Sequence, residues 1–269
     1  MVQSIKLKNL KLKKLKLKIK KKQTLKKGKV KQLVLEKKIS DEKIAKKEGE
    51  YFSEKDFPII VKQDCDVYSL INGKKQLLGK FRKNVISKKL TNSAMVNLKE
   101  AAQKKHSNRG AAAGAINMKD MAGYVKKENM VGNYKFRIKG YYSDTDGKFV
   151  NQSIGNDAQS NIIGYFDKRD RNLGKNAPPC RTTAFTSQQF DKYKKVGPLI
   201  KSIDKQFKIL IPDRYKEQYN RARQTSKFAI PGTAFSTVTI NYNWRTALHK
   251  DSGDFKNGYG NLVVLEEGK

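Results

Sequence analysis

Apolar positions along the chain change period several times, and each change marks an element. Residues 5–22 read IKLKNLKLKKLKLKIKKK, where the leucines keep neither a period of two nor one of 3.6, so no regular element is predicted. FPIIVKQD and DVYSLI carry the β-branched and aromatic composition of strands, and INGKKQLLGKF predicts a hairpin turning at Asn72-Gly73. Residues 80–105 read as a helix through Val85, Leu90, Met95, Val96 and Leu98. YKFRIKGYYSD and KFVNQSIG predict two short strands joined through Asp144–Gly147, and NIIGYFD (residues 161–167) predicts another. After a loop with Pro178 and Pro179 comes CRTTAFT. Residues 190–219 then predict two helices split at Pro212, the first with an apolar face of Leu199, Ile200, Ile203, Phe207 and Leu210 that suits packing on a sheet. FAIPGTAFSTVTINYNW is strand-like, RTALHKDSGDFKNGYG reads as a strand end running into a polar loop, and GNLVVLEE predicts a further strand.

Charge narrows the choice of partner. The chain has 269 residues, a hydrophobic share of 37% and a net charge of +34. About +14 of that charge lies in the first 50 residues, so the tail and the body are both basic. Such a surface attracts polyanions, DNA or RNA first and an anionic membrane second. The Lys-rich tail suits phosphate contact or a nuclear address, or is a solvated segment with no task of its own. The two cysteines, Cys65 and Cys180, form no CxxC pair, which excludes a disulfide framework and a cysteine zinc site and points to free thiols in a reducing, intracellular setting. No run of some 18 apolar residues spans a bilayer and the start of the chain lacks a secretory apolar core, so no membrane partner is expected.

Two short motifs carry chemistry. SNRGAAAG (residues 107–114) brackets three alanines with Gly110 and Gly114, allowing close backbone approach; it is neither a Walker loop nor GxGxxG. His249 and Asp251 form H-x-D. Alternate residues of a strand share a face, so one imidazole and one carboxylate can turn toward one ion. With a second histidine they make the facial triad of non-haem Fe(II) oxygenases, which leaves coordination positions for co-substrates. By itself H-x-D also describes any surface His and Asp beside a loop; its place between a β-rich run and an apolar strand favours the metal reading.

At these residues the chain resembles a known family. FSTVTINYNWRTALHKDSGDFKNGYGNLVVLEEG is similar to the metal-binding core of the TET/JBP oxygenases, and SNRGAAAG, SNIIGYFD, CRTTAFT and PLIKSIDKQFKILIPDRYKEQ follow the same family upstream, over about residues 107–269. The resemblance implies an α+β fold whose core is a double-stranded β-helix (jelly roll) with helices packed on one sheet. It implies Fe(II) as cofactor, 2-oxoglutarate and O2 as co-substrates, and stepwise hydroxylation of a 5-methyl group on thymine or 5-methylcytosine, with the base extruded from the duplex or taken from a single strand. His249 and Asp251 match two iron ligands. Asn241 and Asn243, on one face of the preceding strand, are candidates for holding 2-oxoglutarate or the base. Arg181, Arg109 and Asn108 are candidates for substrate or phosphate contact, the arginines because a guanidinium grips a carboxylate or phosphate with two bonds.

The chain departs from the family in one respect. The family pattern adds a distal histidine and an arginine for the far carboxylate of 2-oxoglutarate, both after H-x-D. The other histidine here is His106, which precedes it. The expectation is a jelly roll incomplete at its C-terminus, in a fragment with weak iron binding and little turnover. The expected organisation is a disordered Lys-rich tail over 1–50, an α/β extension over 51–106 and the first part of the oxygenase domain over 107–269. The expected location is the nucleus or wherever viral or genomic DNA lies. A basic nucleic-acid-binding protein without chemistry, and a related dioxygenase hydroxylating a protein side chain, are the alternatives. Oligomeric state is left open.

Overall fold

The computed structural model describes residues 30–37, 39–119, 126–131, 135–138, 140–152, 154–167, 180–251 and 253–266. Most of the Lys-rich stretch and the loop with Pro178 and Pro179 lie outside the described residues. The chain forms two compact units, Met1–Lys38 with Val61–Lys83, and Ile39–Ile60 with Asn84–Lys269. Among the described residues no helix is long and apolar enough to cross a membrane.

In the first unit, strand β1 (Lys31–Glu36) runs parallel to β2 (Cys65–Ile71), which turns back into antiparallel β3 (Lys74–Phe81). Asn72 and Gly73 both have positive φ, +50° and +72°, the twist that a two-residue hairpin needs. Asp66 holds the base of the hairpin, accepting from Arg82 at 2.6 Å, while Arg82 also donates to the Cys65 carbonyl. Order reaches further into the basic N-terminal stretch than its composition announces. Leu33 and Leu35 alternate with exposed residues, which gives β1 one more apolar face, and its backbone edge pairs with β2. Helix α1 (Asp41–Lys46) of the second unit then starts at Ser40, whose hydroxyl accepts from the Lys43 amide.

Strand β7 (Ala158–Asp167) is the spine of the second unit. Its start pairs with β4 (Lys105–His106), its middle with β9 (Thr237–Asn241) and its end with β8 (Cys180–Thr182), all antiparallel. Away from it, β5 (Tyr141–Tyr142) and β6 (Phe149–Val150) form the expected short hairpin. Helices α2 (Lys88–Ala102) and α4 (Phe190–Leu210) bring Ala94, Leu98, Ala101, Val196, Leu199 and Ile200 onto Ile163 of β7, with Phe185 of the short helix α3 (Ala184–Gln188) and Ile230 closing the core. In α4 the buried residues keep the 3–4 spacing visible in the sequence, whereas in α2 the buried face is Ala94, Leu98 and Ala101, and Val85 and Val96, expected on it, are exposed. Helix α2 starts eight residues later than expected, because Lys80 and Phe81 are taken by β3 and Asn84 adopts positive φ. The architecture is mixed α+β with several small sheets.

Helix α5 (Pro212–Gln224) begins on the proline that ends α4, at the first helical position, where a missing amide hydrogen costs nothing. Buried Asp204 ties these helices to the chain before β9. One carboxylate oxygen accepts from the Tyr215 hydroxyl at 2.9 Å, the other from the Ala234 amide at 2.8 Å. Burial, then this bond to Asp204, pushes the Tyr215 hydroxyl far above the usual tyrosine range. Asp204→Ala strands two buried donors and is expected to lower stability by about 2–4 kcal/mol; chemical denaturation reads the change, and an effect below about 0.5 kcal/mol would refute the role.

The strand predicted from GNLVVLEE does not form. Residues 260–266 join no sheet; Leu262 and Val264 are exposed, while Leu265 packs on the core. A period of two makes a strand only where a neighbouring strand takes up its hydrogen bonds, and no described segment does so here.

Candidate metal centre

The segment that carries H-x-D is anchored by backbone, not by a strand of its own. After β9 the chain bends at Asn243 (φ +45°) and Arg245 lays its guanidinium 5.4 Å from the Tyr51 ring. The Ala247 amide donates to the Ala112 carbonyl at 2.9 Å. Leu248 exchanges two bonds with the stretch after α1, donating to the Glu50 carbonyl and accepting from the Gly49 amide. His249 therefore sits where the 110–113 turn and the 49–50 segment converge.

This convergence explains the small residues of SNRGAAAG. Residues 110–113 form a single 3-10 turn in which Ala112 and Ala113 are buried against buried Ala247. Gly114 has φ +82°, and a Cβ there would lie 2.8 Å from the Tyr51 ring. The amide of Asn156 clamps the carbonyls of Ala113 and Ala115, each at 3.0 Å. Gly114→Val forces a β-branched residue into left-handed backbone and against Tyr51. It is expected to cost about 2 kcal/mol or more and to weaken metal binding without touching a ligand; unchanged stability and Fe(II) affinity in titration would contradict that.

The geometry of the pair suits a cation. His249 Nδ1 lies 2.8 Å from the Ala247 carbonyl. A carbonyl only accepts, so Nδ1 carries a hydrogen and Nε2 is the ring nitrogen left to meet an ion, the orientation found in metal-ligating imidazoles. Nε2 and Oδ1 of Asp251 are 3.6 Å apart, too far for a direct hydrogen bond and somewhat wider than the roughly 3.0 Å between two neighbouring donors of an octahedral ion, so a small closing movement brings both onto one ion. The His249 side chain is 22% exposed and that of Asp251 67%, so the pair opens to solvent. Arg109 is near enough to feel the carboxylate: burial lowers the pKa of its guanidinium while the negative charge of Asp251 raises it, and its buried Nε has no hydrogen-bond partner. Asp254 also feels this charge; loss of surrounding water first, and Asp251 second, raise its carboxyl. Among the described residues no three His, Cys, Asp or Glu side chains gather as a metal site. The residues present thus supply two donors and a neighbouring cation, which fits part of an Fe(II) site.

The other candidates separate. Asn108 is exposed beside Arg109. Asn241 is the last residue of β9, exposed and paired with Ser160, whereas Asn243 lies in the bend; the left-handed residue breaks the alternation, so the two asparagines do not share a strand face. Arg181 is exposed on β8 beside Phe166, six positions and about 20 Å along β7 from the Asn241 pairing. Asp254 and the Tyr51 wall were not anticipated from the sequence: the first lies in a loop without periodicity, and the second reaches the site through a contact nearly 200 residues away.

Residues 161–268 match the Tet_JBP family, the oxygenase domain of the 2OGFeDO superfamily. Over 107 residues, 40% of this chain, the protein is 40% identical to thymine dioxygenase JBP1 of Trypanosoma brucei brucei and 39% identical to thymine dioxygenase JBP1-B of Trypanosoma cruzi. Over 104 residues it is 36% identical to the bifunctional helicase and thymine dioxygenase JBP2 of Leishmania braziliensis. The aligned part spans 9–12% of the length of these relatives. No solved structure matches. The family match starts within β7 and leaves SNRGAAAG outside it. It is to the Tet_JBP oxygenase domain that residues 161–268, with β9 and the His249–Asp251 pair, are similar, as the sequence resemblance implied.

Proposed function

We propose that this chain is part of an Fe(II)- and 2-oxoglutarate-dependent dioxygenase that oxidises the 5-methyl group of a pyrimidine in DNA, with His249 and Asp251 as two of the iron ligands. The observation that carries the reading is the pair itself: an imidazole nitrogen and a carboxylate oxygen 3.6 Å apart, inside the segment that matches an oxygenase family. The jelly-roll core belongs to the same proposal, with β7 and β9 as neighbouring strands, α2 as the helix on one face and α4 packed on α2. The thymine dioxygenases among the relatives, and the net charge of +34, favour DNA as substrate and the nuclear or genomic compartment as location.

When bound, Fe(II) supplies the oxidising chemistry, with one oxygen atom of O2 entering the methyl group and the other leaving in succinate beside CO2. The chain's own residues do the rest. The Ala247 carbonyl fixes the imidazole tautomer, and the Ala112 and Glu50 carbonyls fix the segment that bears it. Arg109 is a candidate for meeting an anionic group of a co-substrate, since its buried Nε has no hydrogen-bond partner and the charge of Asp251 reaches it. A base inside a duplex does not reach such a site, so the target nucleotide must be extruded or single-stranded.

Mass spectrometry of an oligonucleotide bearing thymine or 5-methylcytosine, incubated with the protein, Fe(II), 2-oxoglutarate and O2, tests the reading. A product heavier by one oxygen, dependent on 2-oxoglutarate, supports it. Because little turnover is expected of this chain, Fe(II) binding is measured beside it, and DNA binding unchanged by His249→Ala with no Fe(II) bound by either chain would favour the purely binding alternative.

A further inference from the structure

A second feature of this unit, away from the H-x-D segment, has the chemistry of a nucleotide site. A cavity of about 530 Å³ lies between the Tyr165 end of β7 and the first half of α4. Phe190, Tyr193, Lys194, Gly197 and Lys201 all line it. Their spacing of three, four, seven and eleven residues from Phe190 puts them on one face of α4, next to the face that Val196, Leu199 and Ile200 bury in the core.

The wall is aromatic and the rim is cationic. The Phe190 ring is 54% exposed, an unusual position for a phenylalanine at the start of a helix, and lies 6.0 Å from the Tyr193 ring at 31°. Tyr165 also lines the cavity, and its ring packs at 78° to that of Phe228, 6.2 Å away. Lys194 sits 5.1 Å from the centroid of Phe190. Its ion pair with Asp191 is exposed on both sides, so an incoming phosphate displaces it at little cost. Lys201 is exposed and makes no ion pair among the described residues. Gly197, between the two lysines, has no heavy atom within 4 Å of where a Cβ would stand. It spares Pro198 a clash with a preceding side chain, and it leaves that stretch of the wall bare.

We propose that this cavity holds a nucleotide of a single-stranded DNA segment, its base stacked on Phe190 and Tyr193 and its phosphates on Lys194 and Lys201. Rings that offer a π face beside flexible cations are the recurring means of holding single strands without reading sequence. The lysines are seven residues apart, about 10 Å along the helix, a span that suits one or two nucleotides. The inference rests on the nucleic-acid reading above and adds to it a place, distinct from the ligand pair, where the strand is gripped.

The test uses the full 269-residue chain. Anisotropy of a labelled single-stranded oligothymidylate gives affinity and salt dependence, and photocrosslinking with a 5-iodouracil-substituted strand gives position. Phe190→Ala is expected to weaken binding about tenfold at constant salt, with Phe190→Trp retaining it. Lys201→Gln, at an exposed site that the core does not use, is expected to weaken binding several-fold and to reduce the salt slope by about one phosphate. Crosslinks are expected on the peptide bearing Phe190 and Tyr193. If the unsubstituted chain binds the strand while both variants stay within twofold of it and crosslinks fall elsewhere, this inference is overturned and the nucleic-acid reading stands. If the unsubstituted chain binds no DNA at all, both fall together.

Discussion

His249→Ala is expected to reduce Fe(II) affinity by roughly a hundredfold or more and to bring any 2-oxoglutarate decarboxylation to background. The argument is geometric. The His249 Nε2 stands 3.6 Å from Asp251 Oδ1, while the Ala247 carbonyl takes up the hydrogen bond of Nδ1 and leaves Nε2 as the ring nitrogen that meets an ion. Removal of the imidazole leaves one exposed carboxylate, which binds a divalent ion weakly. Asp251→Ala is expected to act the same way, and because its side chain is 67% exposed, neither its removal nor the loss of its charge should move thermal stability appreciably. Anaerobic calorimetric titration with Fe(II), alongside a thermal melt of each variant, separates lost coordination from lost folding. Equal affinity in the alanine variants would exclude the pair as ligands.

The second large effect concerns salt. With a net charge of +34, binding to DNA should be governed by release of counterions. If about six phosphates are neutralised, affinity is expected to fall on the order of a thousandfold between 50 and 200 mM salt. Anisotropy titrations across that range measure the slope. A nearly flat dependence would mean that the basic residues do not meet phosphate, and would move the proposal toward a neutral or protein substrate, which the same iron chemistry also serves.

How much was legible beforehand divides along physical lines. Local signals held where one residue type decides the backbone. Asn72-Gly73 set a hairpin because both positions tolerate positive φ, and Pro212 split α4 from α5 because it lacks an amide hydrogen. The apolar face of α4 was visible in its spacing, but its main neighbour is helix α2, which was not legible as its partner. Elements that depend on a distant partner were not legible. β1 needed the edge of β2, some 30 residues on, and the 260–266 segment shows the strand pattern while lacking a ladder. The site followed the same rule. H-x-D could be read from two residues, but that it rests on backbone bonds to Glu50 and Ala112, not on a strand, comes from contacts far apart in sequence. Asn241 and Asn243 were paired by alternation, and the left-handed conformation of Asn243 undoes that pairing.

Because the chain has only two histidines, His249 and His106, one spectrum resolves the central claim. Fe(II) is paramagnetic and extinguishes the imidazole NMR signals of any ring that ligates it. Substoichiometric Fe(II), added anaerobically with 2-oxoglutarate, is expected to broaden the His249 resonances away while those of His106 persist, and Asp251→Ala should restore them. Persistence of the His249 signals at saturating Fe(II), or equal loss of both sets, would contradict the assignment.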